Sequence, residues 1–124
     1  MRNEITRWKK EFGLEAYALN VYYLSQKQMN KKFSHNVVGH ATPEPEYLFG
    51  RLYFSSWLKN DKFGRETVFH ELRHFYYESL LTRLRQLESL MANSKQEAFN
   101  RVLNSLVEEM IERDINFYQK RGRI

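Results

Sequence analysis

Glu66-Thr67-Val68-Phe69-His70-Glu71-Leu72-Arg73-His74 decides the architecture, because it lies inside the longest helical pattern of the chain. From Arg65 to Met91 the residues Phe69, Leu72, Tyr76, Leu80, Leu84, Leu87 and Met91 recur at three- and four-residue steps without a proline. That spacing predicts one helix with one apolar face. Asn93 ends the run. Ser94-Lys95-Gln96-Glu97 then reads as a capping box that opens a second long helix. Its stripe is Phe99, Val102, Leu103, Leu106, Met110 and Phe117. The short Asn93–Ser94 connection favours antiparallel packing of the two helices.

Upstream, the pattern changes. Asn3 to Phe12 predicts a short helix with Ile5, Trp8 and Phe12 on one face and Gly13 as its stop. Ala16 to Ser25 is open between strand and helix, and its aromatic content leans to strand. Asn36 to Thr42, a Pro43-Glu44-Pro45-Glu46 turn and Tyr47 to Ser55 predict two strands joined by a loop, with Gly50 marking a bulge. The fold class is therefore α+β, as one domain over residues 1–124: an N-terminal helix, a small sheet or hairpin, then two long antiparallel helices.

Composition narrows the chemistry. Hydrophobic residues at 42% and charged residues at 28% belong to a globular chain and not to a disordered tail. Two Trp, eight Tyr and nine Phe supply bulky core material. Cysteine is absent, which excludes disulfides, thiolate zinc sites and cysteine nucleophiles. No apolar signal segment follows Met1-Arg2-Asn3-Glu4, and no run approaches the ~18 apolar residues of a membrane span. A cytoplasmic protein is the expectation. The net charge of +5 admits nucleic acid as a neighbour without requiring it.

His70-Glu71-Leu72-Arg73-His74 is an HExxH pattern. Helix positions four apart share a face, so both imidazoles can reach one ion. Zinc takes imidazole nitrogen at about 2.0–2.1 Å and in hydrolases keeps a position for water. Glu71 is then the candidate base that takes that water's proton. A third protein ligand is needed. Glu78 continues the series, but a straight helix carries it a further ~6 Å along the axis. The second long helix offers Glu108, Glu109, Glu112 and Asp114. With Phe99, Leu106, Met110 and Phe117 as the buried centre, Glu109 and Asp114 flank the stripe and Glu108 points away. Glu109 is the expected ligand, with Asp114 and Glu108 as alternatives, and Glu112 reads as a solvated charge.

The stretch from Gly39 to His74, with its GRLYFSS strand and ETVFHELRH helix, resembles a minimal zincin. It is similar to SprT-like proteases, and to ImmA/IrrE-like and phage-encoded metallopeptidases in which a later glutamate completes the site. The resemblance covers about a third of the chain. It implies zinc and hydrolysis of peptide bonds in a protein substrate, with His70 and His74 as ligands and Glu71 as base. No histidine follows His74 and no cysteine exists, so the third histidine and the zinc ribbon of SprT-like proteins have no counterpart. The later-glutamate pattern is the better match.

The strand Arg51 to Ser55 is expected to be the edge along which an extended substrate adds, with Arg51, Tyr53 and Ser55 as substrate-binding residues. Other features carry plainer readings. His35 and His40 read as polar surface residues, and Tyr76, Tyr77 and Tyr118 as core or interface tyrosines more than oxyanion donors. Lys120-Arg121-Gly122-Arg123 reads as a frayed terminus. The alternative to a peptidase is a non-catalytic zincin-like module that binds nucleic acid or a protein partner.

Overall fold

The computed structural model describes residues 2–34, 36–44 and 47–124, with Ser79, Leu80 and Arg83 by their backbone alone. His35, and the Pro45-Glu46 half of the expected turn, lie outside the described residues. The element order is α1 (Arg2–Glu11), β1 (Ala18–Leu24), α2 (Gln26–Lys32), β2 (Gly39–Glu44), β3 (Phe49–Ser55), α3 (Lys62–Glu88) and α4 (Asn93–Lys120). This is an α+β chain with a small three-stranded sheet, ordered β1-β3-β2. None of the described helices is long and apolar enough to cross a membrane.

Local sequence explains most boundaries. Gly13 takes φ +69° just past α1, the left-handed conformation that ends a helix at low steric cost. The aromatic stretch after it becomes strand β1. Ser25 accepts a hydrogen bond from the Gln28 N–H, and the Gln28 side chain accepts one from the Ser25 N–H. This capping box starts α2, a helix too short for its periodicity to be visible in the sequence. Asp61 caps α3 by accepting from the Gly64 N–H at 2.9 Å. The expected box at Ser94 does not form. Helix α4 starts at Asn93 with Ala92 as its cap, so Ser94 already lies inside the first turn. There the Lys95 N–H donates to the Ala92 carbonyl at 2.8 Å, a backbone bond in place of the serine cap.

Strand β3 is the middle strand. It pairs parallel with β1, Tyr22 opposite Tyr53, and antiparallel with β2, His40 opposite Tyr53. Its Arg51, Tyr53 and Ser55 therefore have no open edge to offer, and the free edges belong to β1 and β2. Strand β2 runs through Pro43, which an edge strand tolerates because proline has no N–H to give. Gly50 stays in register with both neighbours and makes no bulge. Its missing side chain leaves room for the Phe75 ring.

The core lies between the inner sheet face and the helices. Leu52 and Phe54 meet Val68, Phe69, Leu72 and Phe75 of α3, and Ile5 and Trp8 of α1, with Phe12 just past its end, close one side. Trp8 packs edge-on against Phe69 at 4.9 Å and against Tyr118 at 5.5 Å. Helix α4 buries Leu103, Val107, Ile111 and Ile115, while Val102, Leu106 and Phe117 remain exposed. The expected stripe is thus rotated by one residue, about 100°. Both stripes satisfy the helical period, so period alone does not choose between them. Packing against α3 does. The C-terminal tail is held rather than frayed: Arg123 pairs with Glu11 at 2.8 Å, and Arg7 donates to the Arg123 carbonyl at 2.7 Å.

The rotated stripe has a measurable consequence. Ile111→Ala is expected to lower stability by about 2–5 kcal/mol, the range for emptying a packed core site. Leu106→Ala, at a half-exposed position, is expected to stay within about 1 kcal/mol of wild type. Urea denaturation of the two variants checks this, and equal losses would contradict the buried face described here.

Candidate metal centre

His70, Glu71 and His74 all lie on α3, in its buried middle. Their ligand atoms form a group, each within 4.8 Å of the others, that could hold a metal ion. The two imidazole rings stand 5.1 Å apart, the separation expected one helical turn along a shared face. Glu71 follows His70 by about 100° around the axis, so it points toward the sheet and not toward α4. There β2 comes close. A methyl group on Gly39 would stand 2.9 Å from Thr67 Cγ2 and 3.1 Å from Glu71 Cγ. Glycine at this position lets the free-edge strand lie against the buried carboxyl.

Helix α4 supplies the remaining acid. Glu108 Oε2 is 3.1 Å from His70 Nε2, and Glu108 Oε1 is 3.0 Å from His74 Nε2. One carboxylate thus faces both imidazoles. Glu109 does not reach them; it is exposed and pairs with Arg113 at 2.6 Å. Asp114 is engaged elsewhere, accepting from Arg73 Nε at 2.8 Å and from the Tyr77 hydroxyl at 2.5 Å. Glu112 stands 4.0 Å from His70 Nδ1. Glu78 lies farther along α3 and pairs with Arg85. His40 stacks on Phe33 at 4.1 Å, on the opposite face of the sheet.

The displacement of Glu109 by Glu108 follows from the stripe. Glu108 is one residue after Val107 and three before Ile111, and both of those are buried. It therefore flanks the face that meets α3, whereas Glu109 turns to the back. The cue present in the sequence was Leu103, Val107, Ile111 and Ile115 at unbroken four-residue spacing. The larger side chains Phe99, Leu106, Met110 and Phe117 masked it.

Electrostatics ties the group together. Hydrogen bonds from His70 and His74 hold the Glu108 carboxyl far below the usual carboxylate range. Burial works against protonation of His70, but Glu108, Glu71 and Glu112 outweigh it and raise the imidazole pKa. Burial pushes the Glu71 carboxyl up, against the lowering effect of the two histidines. The donor set also has suitable spacing for a metal. Two ligand atoms at about 2.0–2.1 Å from a tetrahedral ion lie about 3.3 Å apart, close to the nitrogen–oxygen distances found here. Two imidazole nitrogens and a carboxylate are a donor set that zinc accepts. Comparison with known proteins gives no independent lead: no family model, no curated protein and no solved structure matches the chain.

Burial of Glu71 sets a pH signature for the metal-free protein. Its folded pKa lies above the unfolded one, so the ionised form is disfavoured in the fold. The cost begins as pH rises above the ordinary carboxyl range near 4.5 and grows toward the raised folded pKa. Glu71→Gln is therefore expected to melt at a higher temperature than wild type at about pH 7, with the gain vanishing below about pH 4. Calorimetry in the presence of chelator measures both. Equal melting temperatures at neutral pH would show that the site accommodates the charge without cost.

Proposed function

We propose that the protein is a zinc-dependent metallopeptidase of minimal zincin type, hydrolysing peptide bonds of a protein substrate. The observation that carries the reading is the Glu108 carboxylate facing both His70 and His74, with Glu71 buried beside them on the same helix. In this reading α3 and α4 run antiparallel. Contacts from Glu66 to Gln119 and from His74 to Glu108 support that direction.

His70, His74 and Glu108 would hold the ion. Zinc bound there supplies Lewis acidity, which brings the pKa of a water ligand to about 7. Glu71 acts as general base and then returns the proton to the leaving amine. The substrate adds as an extended strand to the free edge of β2, where Gly39 lies against Glu71. A cleft of about 250 Å³ lined by Val38, Gly39, Thr67, His70 and Glu71 opens beside that edge. Gly39 lies beside Thr67 and Glu71, and Pro43 and Glu44 line a cleft with Glu78, so an extended peptide along β2 passes Glu71 and continues toward Glu78. Arg51, Tyr53 and Ser55 have no part in this path.

Elemental analysis and metal titration separate the ligands. Wild type is expected to hold one zinc per chain, and the His70→Ala/His74→Ala double variant none. Glu108→Ala is expected to bind at least about tenfold more weakly, with Glu109→Ala unchanged. Stoichiometric zinc in the double variant, or a larger loss at Glu109 than at Glu108, would overturn the assignment.

Turnover tests the chemistry. Glu71→Gln is expected to keep full zinc loading and to lose about 10²–10⁴-fold in cleavage rate on a broad peptide library. Equal cleavage at equal loading would remove Glu71 from the mechanism. Absence of cleavage by zinc-loaded wild type would favour a module that binds without hydrolysing.

A further inference from the structure

Lysine is not spread evenly along this chain. Residues 16–43 contain no aspartate or glutamate and carry Lys27, Lys31 and Lys32, three of the five net positive charges. The fold brings this acid-free segment to one place, where β1, α2 and β2 border the outer face of the sheet, remote from α3. Side chains alternate along each strand. Leu52 and Phe54 point into the core, so Arg51 and Tyr53 point outward, together with Tyr22 and His40 at the same register.

These outward rings form a column. Tyr22 stacks on Tyr53 at 5.0 Å with planes 17° apart, Phe33 meets Tyr53 edge-on at 5.0 Å, and His40 stacks on Phe33. Lys32 Nζ stands 5.4 Å from the Tyr53 ring centre. The column is closed at one end by Phe33 and His40. At the other end Tyr22 lies on the edge strand β1, is 39% exposed, and has no strand beyond it among the described residues. An open cleft of about 640 Å³ beside it is lined by Tyr22, Leu24, Gln28, Lys31, Lys32 and Tyr53.

We propose that this face binds single-stranded nucleic acid. An unpaired base continues the ring column on Tyr22, and Lys31 and Lys32 take the adjacent phosphates, with Lys27 beyond them on the same helix. Any base offers a π-face, so the contact tolerates sequence, and lysine acts as a point charge that asks little of phosphate geometry. A duplex keeps its bases stacked inside and cannot use the rings. An acidic protein would use the lysines and leave the column idle. The face is separate from His70, Glu71, His74 and Glu108, so it stands or falls independently of the peptidase reading.

Fluorescence anisotropy of the full chain with labelled oligo(dT) and oligo(rU) of about 12 nucleotides tests this, beside a duplex of equal length. Saturable binding of a single strand, weaker binding of the duplex and a log K against log salt slope near −2 are expected for three phosphate contacts at about −0.7 each. The two oligomers separate a DNA from an RNA ligand. Tyr22→Ala is expected to weaken binding by about 5- to 100-fold and Tyr22→Phe to retain it. Lys31→Gln/Lys32→Gln is expected to make the slope shallower by about 1.4. His70→Ala/His74→Ala is expected to bind like wild type. Circular dichroism confirms that each variant is folded, and Tyr22→Phe keeps the ring test valid if Tyr22→Ala is not. No saturable binding, loss of binding in folded Tyr22→Phe, unchanged affinity in folded Tyr22→Ala, or equal competition by polyglutamate would each overturn the proposal. The last result points to an acidic protein.

Discussion

The middle of α3 is covered by the sheet, by α1 and by α4, so each polar side chain there needs a partner or carries a cost. Most of the polar structure follows from that requirement. Arg73 lies 3.9 Å over the Tyr76 ring and donates to Asp114, which also accepts from Tyr77. Glu78 finds Arg85. His70 and His74 find Glu108. Helix α4 thus has to present Asp114 and Glu108 at the same time, six residues or about one and two-thirds turns apart. That double demand fixes its rotation more strictly than apolar burial alone.

Glu71 is the exception. Among the described residues the one basic group within 4.0 Å of its carboxylate is His70 Nε2, at 3.9 Å, although the side chain is almost wholly buried. A carboxyl in that position weakens the fold whenever it ionises, and a glutamine of the same shape would not. Such a residue is typical of a site where chemistry, and not packing, selects the side chain. The neighbouring Gly39 supports the same view, because it lets β2 approach the carboxyl where any side chain would hold the strand away.

Much of the fold could be read from the sequence because its signals were local. Gly13 stops a helix by backbone conformation, the aromatic run from Ala18 suits a strand, and the proline-free stretch after residue 60 has the period of long helices. The parts that could not be read depend on the tertiary neighbour. Strand order is one: nothing in Arg51 to Ser55 reveals that β1 will pair on its far side. Helix rotation is the other. Helix α4 carries two apolar stripes about 100° apart, and Leu106 and Phe117 of the bulkier one face solvent. Of the candidate site, His70, Glu71 and His74 were legible because an i, i+4 pair needs only one helix. Glu108 was not, because its position depends on how two helices meet.

The same dependence explains why the chain can keep two unlike surfaces apart. Strand residues alternate between faces, so Gly39 and Leu52 serve the α3 side while His40 and Tyr53, one position along, belong to the opposite one. Burial restrains the inner side: replacing a residue there disturbs α3 and with it the histidine pair. The outer side is covered only where α2 lies over one end, so Tyr22 and the lysines of α2 can change with little effect on the core. A three-stranded sheet with the three longer helices on one side and only the short α2 on the other provides this separation cheaply. Rigidity for His70, His74 and Glu108 comes from α3 and α4, and the acid-free segment from β1 to β2 is free to carry charge because no buried partner depends on its lysines.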